Sequence, residues 1–158
     1  QLPVNAIPID QPHRSDGQIR DWITAKTSQL FTFTKQSSET LPKAYLSSFH
    51  NDIGQKYIQF MSQYGFERII TSKQYDVRAF VEEPPRLLNK GVVNGQYRWL
   101  FEAPLMVTVM MRDAKTYKDA QTETSKLSVK IQVGRHKNAD NPDGLLIDVW
   151  DATPPRKM

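Results

Sequence analysis

The sequence contains no cysteine among its 158 residues. Without cysteine the chain cannot form disulfides, use a thiolate nucleophile, or hold zinc or an iron–sulfur cluster through sulfur. Long hydrophobic runs are also missing, and no stretch approaches the ~20 apolar residues that a membrane-spanning helix needs. The excess of positive charge is small, because 21 basic residues face 17 acidic ones. These absences exclude a disulfide scaffold, a sulfur-based enzyme and a membrane span within this stretch.

The length and composition that remain fit one globular domain. Hydrophobic residues make up 39% of the chain and charged residues 24%, which is the balance of a folded domain rather than a disordered tail. Because the first residue is Gln1 rather than methionine, we expect that an upstream segment was removed. A signal peptide, a membrane anchor or more of a longer chain would each fit.

An extended lead-in and one helix open the chain. Residues 1–14 contain several prolines, which lack an amide donor and favour extended backbone. Asp16 is a predicted N-cap, because its carboxylate can accept hydrogen bonds from the free amides of a first turn. The apolar residues that follow recur at near-helical spacing and predict a helix over 16–31, with Trp22 anchoring its buried face.

A second helical region follows this first helix. Helical spacing resumes at Thr40, and Gly54 marks a break or a close approach of backbone within it. Gly65 is predicted to end the next helical stripe, because glycine readily adopts left-handed backbone. Residues 66–72 predict one more short turn of helix.

The hydrophobic period changes to two from Tyr75 onward, which indicates strands that each bury one face. Asn94-Gly95 predicts a two-residue hairpin turn, because both residues adopt positive φ readily. Pro104 lies within a long strand and predicts a bulge or an edge position there. The predicted strands cover residues 75–82, 87–93, 97–112, 127–134 and 145–150.

Helices first and antiparallel strands afterwards predict an α+β domain rather than a βαβ repeat. The economical arrangement packs the N-terminal helices on a strongly curved antiparallel sheet. We expect a single domain over residues 15–152 and a flexible tail over 153–158. The stripe residues that must face the helices include no acid, base or amide. The hollow of the sheet is therefore predicted to be filled with hydrocarbon.

No residue is predicted to act as a catalytic group, a cofactor ligand or a metal ligand. His13, His50 and His136 have no sequence neighbours at metal-ligand spacing, and we interpret them as partly exposed. Residues 138–144 resemble a calcium loop faintly, but no glutamate follows them, so a solvated turn is the better interpretation. The apolar stripe also disfavours an enzyme with a proton-abstracting pair inside the sheet.

The predicted surface offers one candidate contact residue. The basic residues are scattered and mixed with acidic ones, so we do not expect specific binding to nucleic acid. Trp150 has the parity opposite to Leu145, Ile147 and Val149 along the last strand. Strict alternation therefore predicts that Trp150 faces outward, where an exposed tryptophan would be an interface anchor.

Landmark residues of a known family occur in order between residues 7 and 133. They are the stretch from Pro85 to Trp99, its continuation from Ala103 to Thr108, the lead-in from Ile7 to Pro12, Ser15-Asp16, Trp22 and Phe31-Thr32-Phe33. Together they resemble the DotI/IcmL family, which includes the TraM proteins of conjugative plasmids. We expect the chain to lie nearer this TraM branch.

The resemblance implies a structural protein without enzymatic activity. Members of the family are inner-membrane components of type IVB secretion or conjugation machines, with one membrane helix before a periplasmic domain. That domain is similar to the periplasmic part of the type IVA assembly factor, a nuclear-transport-factor-like cone. The resemblance implies self-association and contacts with other inner-membrane subunits. It implies no cofactor, no small-molecule substrate and no specific nucleic acid.

Two alternatives from other functional classes stay open at this point. A small-molecule-binding or catalytic cone-fold domain would need a polar, ligand-sized cavity with a paired acid and base. Direct binding to transferred DNA would need an affinity that falls steeply with salt.

Overall fold

The computed structural model describes residues 6–35, 42–113, 122–137, 139 and 141–158. Its helices are α1 (Asp16–Gln29), α2 (Gly54–Gln63) and α3 (Phe66–Ser72), with short 3-10 helices over Pro42–Ser48 and Asn51–Ile53. Its strands are β1 (Tyr75–Val81), β2 (Arg86–Val93), β3 (Gln96–Met111), β4 (Thr122–Arg135), β5 (Leu145–Ala152) and β6 (Arg156–Lys157). No helix within these ranges is long and apolar enough to cross a membrane.

The long antiparallel ladder between β3 and β4 forms the centre of the sheet. It runs from the pair Arg98 and Gly134 to the pair Met110 and Thr122. Strands β2 and β1 share the outer edge of β3, and β5 and β6 share the outer edge of β4. The sheet curls around the helices without closing on itself, which confirms the predicted α+β architecture.

Pro104 lies where the edge of β3 changes partners. Strand β2 pairs with β3 up to Glu102, and β1 pairs with it from Leu105. The carbonyl of Pro104 accepts a hydrogen bond from the Glu82 amide on this edge, while the register with β4 stays regular. The missing amide of Pro104 therefore costs no hydrogen bond to β4, and the predicted edge position is confirmed without a bulge.

Ser15, not Asp16, caps α1. The Ser15 hydroxyl accepts from the Gln18 amide and the Gln18 side chain accepts from the Ser15 amide, which is a capping box. The prediction chose the acidic residue, but Asp16 is already the first helical residue. Trp22 is only half-buried, and the fully buried face of α1 is formed by Ile19, Ile23 and Thr27.

Glycine has the predicted roles in the second helical region. A Cβ on Gly54 would come 2.5 Å from Leu46 Cδ2, so the close approach at this position is confirmed. Gly65 follows α2 with a φ of 81°, the left-handed conformation that stops a helix, and α3 begins directly after it. The predicted helix start at Thr40 lies outside the described residues.

Aromatic side chains from the helices fill the hollow of the sheet. Phe31 packs edge-on against Tyr57 and Phe60, and it stacks on Trp150 of β5 with 6.2 Å between the ring centroids. The Tyr57 hydroxyl donates to the Leu30 carbonyl at 2.5 Å, which satisfies the polar end of this buried ring. The facing stripes of the sheet are also buried: Trp99, Phe101, Ala103, Leu105 and Val107 of β3, and Leu127, Val129, Ile131 and Val133 of β4.

A β-bulge in β5 reverses the predicted orientation of Trp150. Val133 pairs with Ile147 and Gln132 pairs with Val149, so Asp148 has no partner in β4. The extra residue shifts the alternation by one position. Trp150 is consequently 1% exposed and Val149 is 36% exposed. The prediction that Trp150 is an outward interface anchor is therefore wrong.

The final residues differ from the predicted flexible tail. Strand β6 pairs with Ser125 and Lys126 of β4, and the Met158 amide donates to the Thr124 carbonyl at 3.1 Å. The backbone of this segment is thus bonded to the sheet. The domain boundaries at residues 15 and 152 remain a prediction.

The bulge makes a measurable prediction about two adjacent residues. Trp150→Ala should lower the free energy of unfolding by about 3–5 kcal/mol, because it empties a packed aromatic site. Val149→Ala should cost less than about 1 kcal/mol, because Val149 lies at the surface. Urea denaturation of both variants measures the difference, and a larger loss for Val149→Ala would show that the strand keeps its simple alternation.

Candidate functional site

A buried polar cluster, formed by Arg98, His136, Asp148 and the half-exposed His50, lies beside the bulge. His136 Nε2 is 2.9 Å from Asp148 Oδ1, and His50 Nδ1 is 3.7 Å from the same oxygen. Arg98 Nη1 is 3.3 Å from Asp148 Oδ2. His136 is 7% and Asp148 5% exposed, so the expectation of a partly exposed histidine is wrong for His136.

Local backbone geometry brings these residues together from four parts of the chain. The bulge leaves Asp148 on the face of the sheet that carries Arg98, opposite to the buried Trp99. Gly134 provides the space, because a Cβ there would collide with the Asp148 carboxylate. The His50 amide donates to the Ile147 carbonyl at 2.9 Å, which fixes that ring beside β5.

The face of the sheet that carries the cluster is the outer one, so the hollow keeps its apolar lining. The inward stripes carry only hydrocarbon and aromatic side chains over residues 99–107 of β3 and 127–133 of β4. The buried Arg135 follows at the end of β4 and bonds to the lead-in. The apolar stripe that the alternation predicts is therefore confirmed over these two ranges.

Burial and neighbouring charges control the protonation of the cluster. Desolvation lowers the pKa of His136, and the attraction of Asp148 offsets only part of this effect. His50 and Arg98 lower the pKa of His136 further. Gln96 Nε2 donates to His136 Nδ1 at 3.2 Å, so the neutral ring donates from Nε2 to Asp148. Neutral His136 therefore lies between the Gln96 amide and the ion pair of Asp148 with Arg98.

The three histidines have different environments. The rings of His50 and His136 lie 4.4 Å apart, while His13 lies on the lead-in and takes no part in the cluster. His13 Nε2 donates to the Asp143 carbonyl at 2.7 Å, and Arg14 pairs with the Asp143 carboxylate at 3.1 Å. No spacing signal in the sequence could have found the cluster, because its residues are distant along the chain.

The lead-in also lines a large cleft. Residues 6–9 face the end of β4 across a cleft of about 720 Å³. Arg135 Nη1 donates to the carbonyls of Pro8 and Gln11 at 2.6 and 2.9 Å, so the lead-in is bonded to the domain. The described lining combines apolar residues of the lead-in with the polar side chains of Arg135, His136, Lys137 and Asn141.

Exposed apolar side chains lie on the outside of the sheet. Phe80 of β1 is 53% exposed and pairs with Met106 of β3. Val92 of β2 is 56% exposed, and Val93 beside it is also exposed. Phenylalanine and methionine are enriched in the cores of protein interfaces. These residues, rather than Trp150, are the candidates for contacts with other subunits.

Several solved structures share this fold. The periplasmic domain of DotI has a TM-score of 0.71 at 20% identity, covering 91% of this chain and 99% of that domain. A periplasmic fragment of TraM has a TM-score of 0.70 at 13% identity, covering 91% and 98%. CagV, a VirB8 homologue from the type IV secretion system of Helicobacter pylori, has a TM-score of 0.54 at 13% identity, covering 84% and 96%.

These likenesses establish the nuclear-transport-factor-like fold, and the sequence adds the family. The profile of the DotI/IcmL family, described as an inner-membrane complex component of the type-IV b secretion system, matches residues 2–154. The chain belongs to this family, as the landmark residues indicate. No functionally curated protein matches the chain significantly.

The environment of His13 predicts a pH dependence. Burial lowers the pKa of His13 below its ordinary value of 6.5, and the positive charges of Arg135 and Arg14 act in the same direction. The hydrogen bond to the Asp143 backbone and the negative charge of the Asp143 carboxylate both raise the pKa of His13, but they do not cancel the lowering. Neutral His13 is therefore favoured in the folded state, and its contribution to stability is complete above pH 6.5.

As the pH falls below 6.5, the unfolded chain binds this proton first and the folded state loses stability. His13→Gln keeps a side-chain N–H donor and cannot titrate. We expect the unfolding free energy of the wild type to fall more between about pH 7.5 and 5 than that of His13→Gln. Urea denaturation at several pH values in this range measures how the unfolding free energy of each protein depends on pH. An equal pH dependence in the two proteins would contradict a lowered pKa of His13.

Proposed function

We propose that this chain is the periplasmic domain of an inner-membrane component of a type IVB secretion or conjugation machine, and that it acts as a structural subunit in assembling that machine. The observation that carries the proposal is the filled hollow of the sheet, taken together with the family. A cone-shaped domain whose interior is packed with aromatic rings has no room there for a substrate. The domain would therefore act through its outer surface.

The lead-in supports attachment to a membrane anchor on its N-terminal side. Residues 8–11 are held to the domain by Arg135, and Tyr97 donates its amide to the Ile9 carbonyl at 2.8 Å. A segment fixed in this way would hold the domain at a defined distance from an upstream membrane helix. We propose that such a helix anchors the domain in the bacterial inner membrane.

The outer face around Phe80 is suited to contact a second copy of the chain. Phe80 and Met106 form an apolar pair, and the exposed Met110 lies further along β3. The outer edge of β1 is already bonded to Phe33 at Val77, so the exposed face rather than the edge is available. Identical subunits that cover this face would bury an aromatic anchor. Contacts with other inner-membrane subunits would use the remaining surface.

The direct test is self-association of the protein with its membrane helix present, solubilised in mild detergent. We expect oligomers by light scattering, and Phe80→Asp should weaken association about tenfold or more, since losing an aromatic anchor typically costs more than ~1.4 kcal/mol. The same variant should unfold within about 0.5 kcal/mol of the wild type, because Phe80 is exposed.

Gln55→Asp is the matched control. Gln55 is exposed on the helical side of the domain, in the first turn of α2, where an added carboxylate is tolerated. It should leave association unchanged. Monomers at every concentration would contradict the proposed function, whereas oligomers that are indifferent to Phe80→Asp would contradict only the proposed face.

A further inference from the structure

Three potential metal-binding atoms converge in the polar cluster. The nearest donors of His50, His136 and Asp148 all lie within 4.8 Å of one another. Asp148 and His136 are buried. Asp148 Oδ1 lies beside both imidazole rings, while Oδ2 forms the ion pair with Arg98 at 3.3 Å. A buried carboxylate is costly unless it is well compensated, and a cation bound at Oδ1 would add a second charge partner.

The donor distances suit a small tetrahedral ion. Zinc binds imidazole nitrogen and carboxylate oxygen at about 2.0–2.2 Å, so two ligand atoms on one tetrahedral ion lie about 3.3–3.5 Å apart. In the cluster, Asp148 Oδ1 is 2.9 Å from His136 Nε2 and 3.7 Å from His50 Nδ1. These separations lie on either side of the required value. Shifts of a few tenths of an ångström would bring these two separations to the required value, and rotation of the half-exposed His50 ring would close the third, which lies within 4.8 Å.

The surroundings of the three donors also resemble those of a metal site. His50 has 38% of its side chain exposed, which leaves a path for an ion and a fourth position for water. Gln96 contacts the second ring nitrogen of His136, the position at which an outer group orients a histidine ligand. The bulge that places Asp148 is a device found beside functional sites.

We propose that His50, His136 and Asp148 form a binding site for a divalent zinc-like ion at the outer face of the sheet. Two imidazoles and one carboxylate are a donor set that zinc accepts. Calcium and magnesium prefer all-oxygen sites and should bind poorly. Binding would fasten the segment around His50 to β4 and β5, and so would stabilise this corner of the domain.

Arg98 competes with the ion for this site. Its guanidinium is close to Asp148 and also donates to Gln96 Oε1 at 2.9 Å. An ion at His136 Nε2 requires the other neutral tautomer, in which the single N–H proton of the ring has moved from Nε2 to Nδ1. The Gln96 amide must then turn to accept from Nδ1, and it gives up its bond with Arg98. Arg98→Met should therefore tighten metal binding.

The first experiment measures Zn²⁺ and Co²⁺ binding to this chain at neutral pH. At a Zn²⁺ concentration about 100 times the Kd, we expect the Tm to rise by about 5–10 °C. Co²⁺ should give the visible absorption of a tetrahedral site, and Ca²⁺ and Mg²⁺ should leave the Tm unchanged. Absence of both the Zn²⁺ shift and the Co²⁺ absorption up to about 1 mM metal would overturn the proposal.

Two histidine variants separate this site from adventitious binding. His50→Gln should abolish the Zn²⁺-dependent rise in Tm, and its half-exposed position makes correct folding testable by circular dichroism. His13→Gln is the matched control and should retain the rise, because His13 lies outside the cluster. An equal Zn²⁺-dependent rise in Tm in His50→Gln and in the wild type would show that the ion binds elsewhere. Imidazole NMR shifts of His50 and His136 on Zn²⁺ addition give an independent readout without any variant, and unchanged shifts would contradict the proposal.

Discussion

The packing of Phe31, Tyr57, Phe60 and Trp150 into the concave face of the sheet is the interaction on which the rest of the structure depends. Phe31 follows α1, Tyr57 and Phe60 lie in α2 and Trp150 lies in β5, and their rings meet in edge-on and stacked contacts. They fix the helices to the sheet and fill its hollow. Burial raises the pKa of the Tyr57 hydroxyl, which stays neutral and donates a hydrogen bond to the Leu30 carbonyl at the end of α1. The hollow of the sheet is therefore occupied by the side chains of the domain itself.

Much of this arrangement was predictable because it follows from local chemistry. The alternation along β3 and β4 fixes which residues line the hollow, since side chains on a strand alternate between faces. Asn94-Gly95 adopts positive φ at both positions, with values of 52° and 78°, and makes the tight turn between β2 and β3. Gly65 ends α2 for a related reason. In each case one or two adjacent residues determine the outcome.

The features that sequence alone misplaced depend on partners distant along the chain. Nothing in the residues around Asp148 marks a bulge, because the extra residue is defined only by its register against Gln132 and Val133 of β4. That one shift decides the burial of Trp150 and the formation of the polar cluster. His50 reaches the cluster through a backbone hydrogen bond to β5. Spacing rules for metal ligands detect only residues that are close along the sequence. The residues of the polar cluster are distant along the sequence and close only in the folded structure.

The scaffold role proposed for the domain rests on a close-packed hollow, and xenon tests this packing directly. Apolar cavities take up xenon, whereas close-packed cores do not. Crystals of the wild-type domain under xenon pressure should show no xenon between the helices and the sheet, and Phe31→Ala should create a site there as a positive control. Xenon bound inside the wild-type hollow would show a cavity fit for a ligand and would contradict the account.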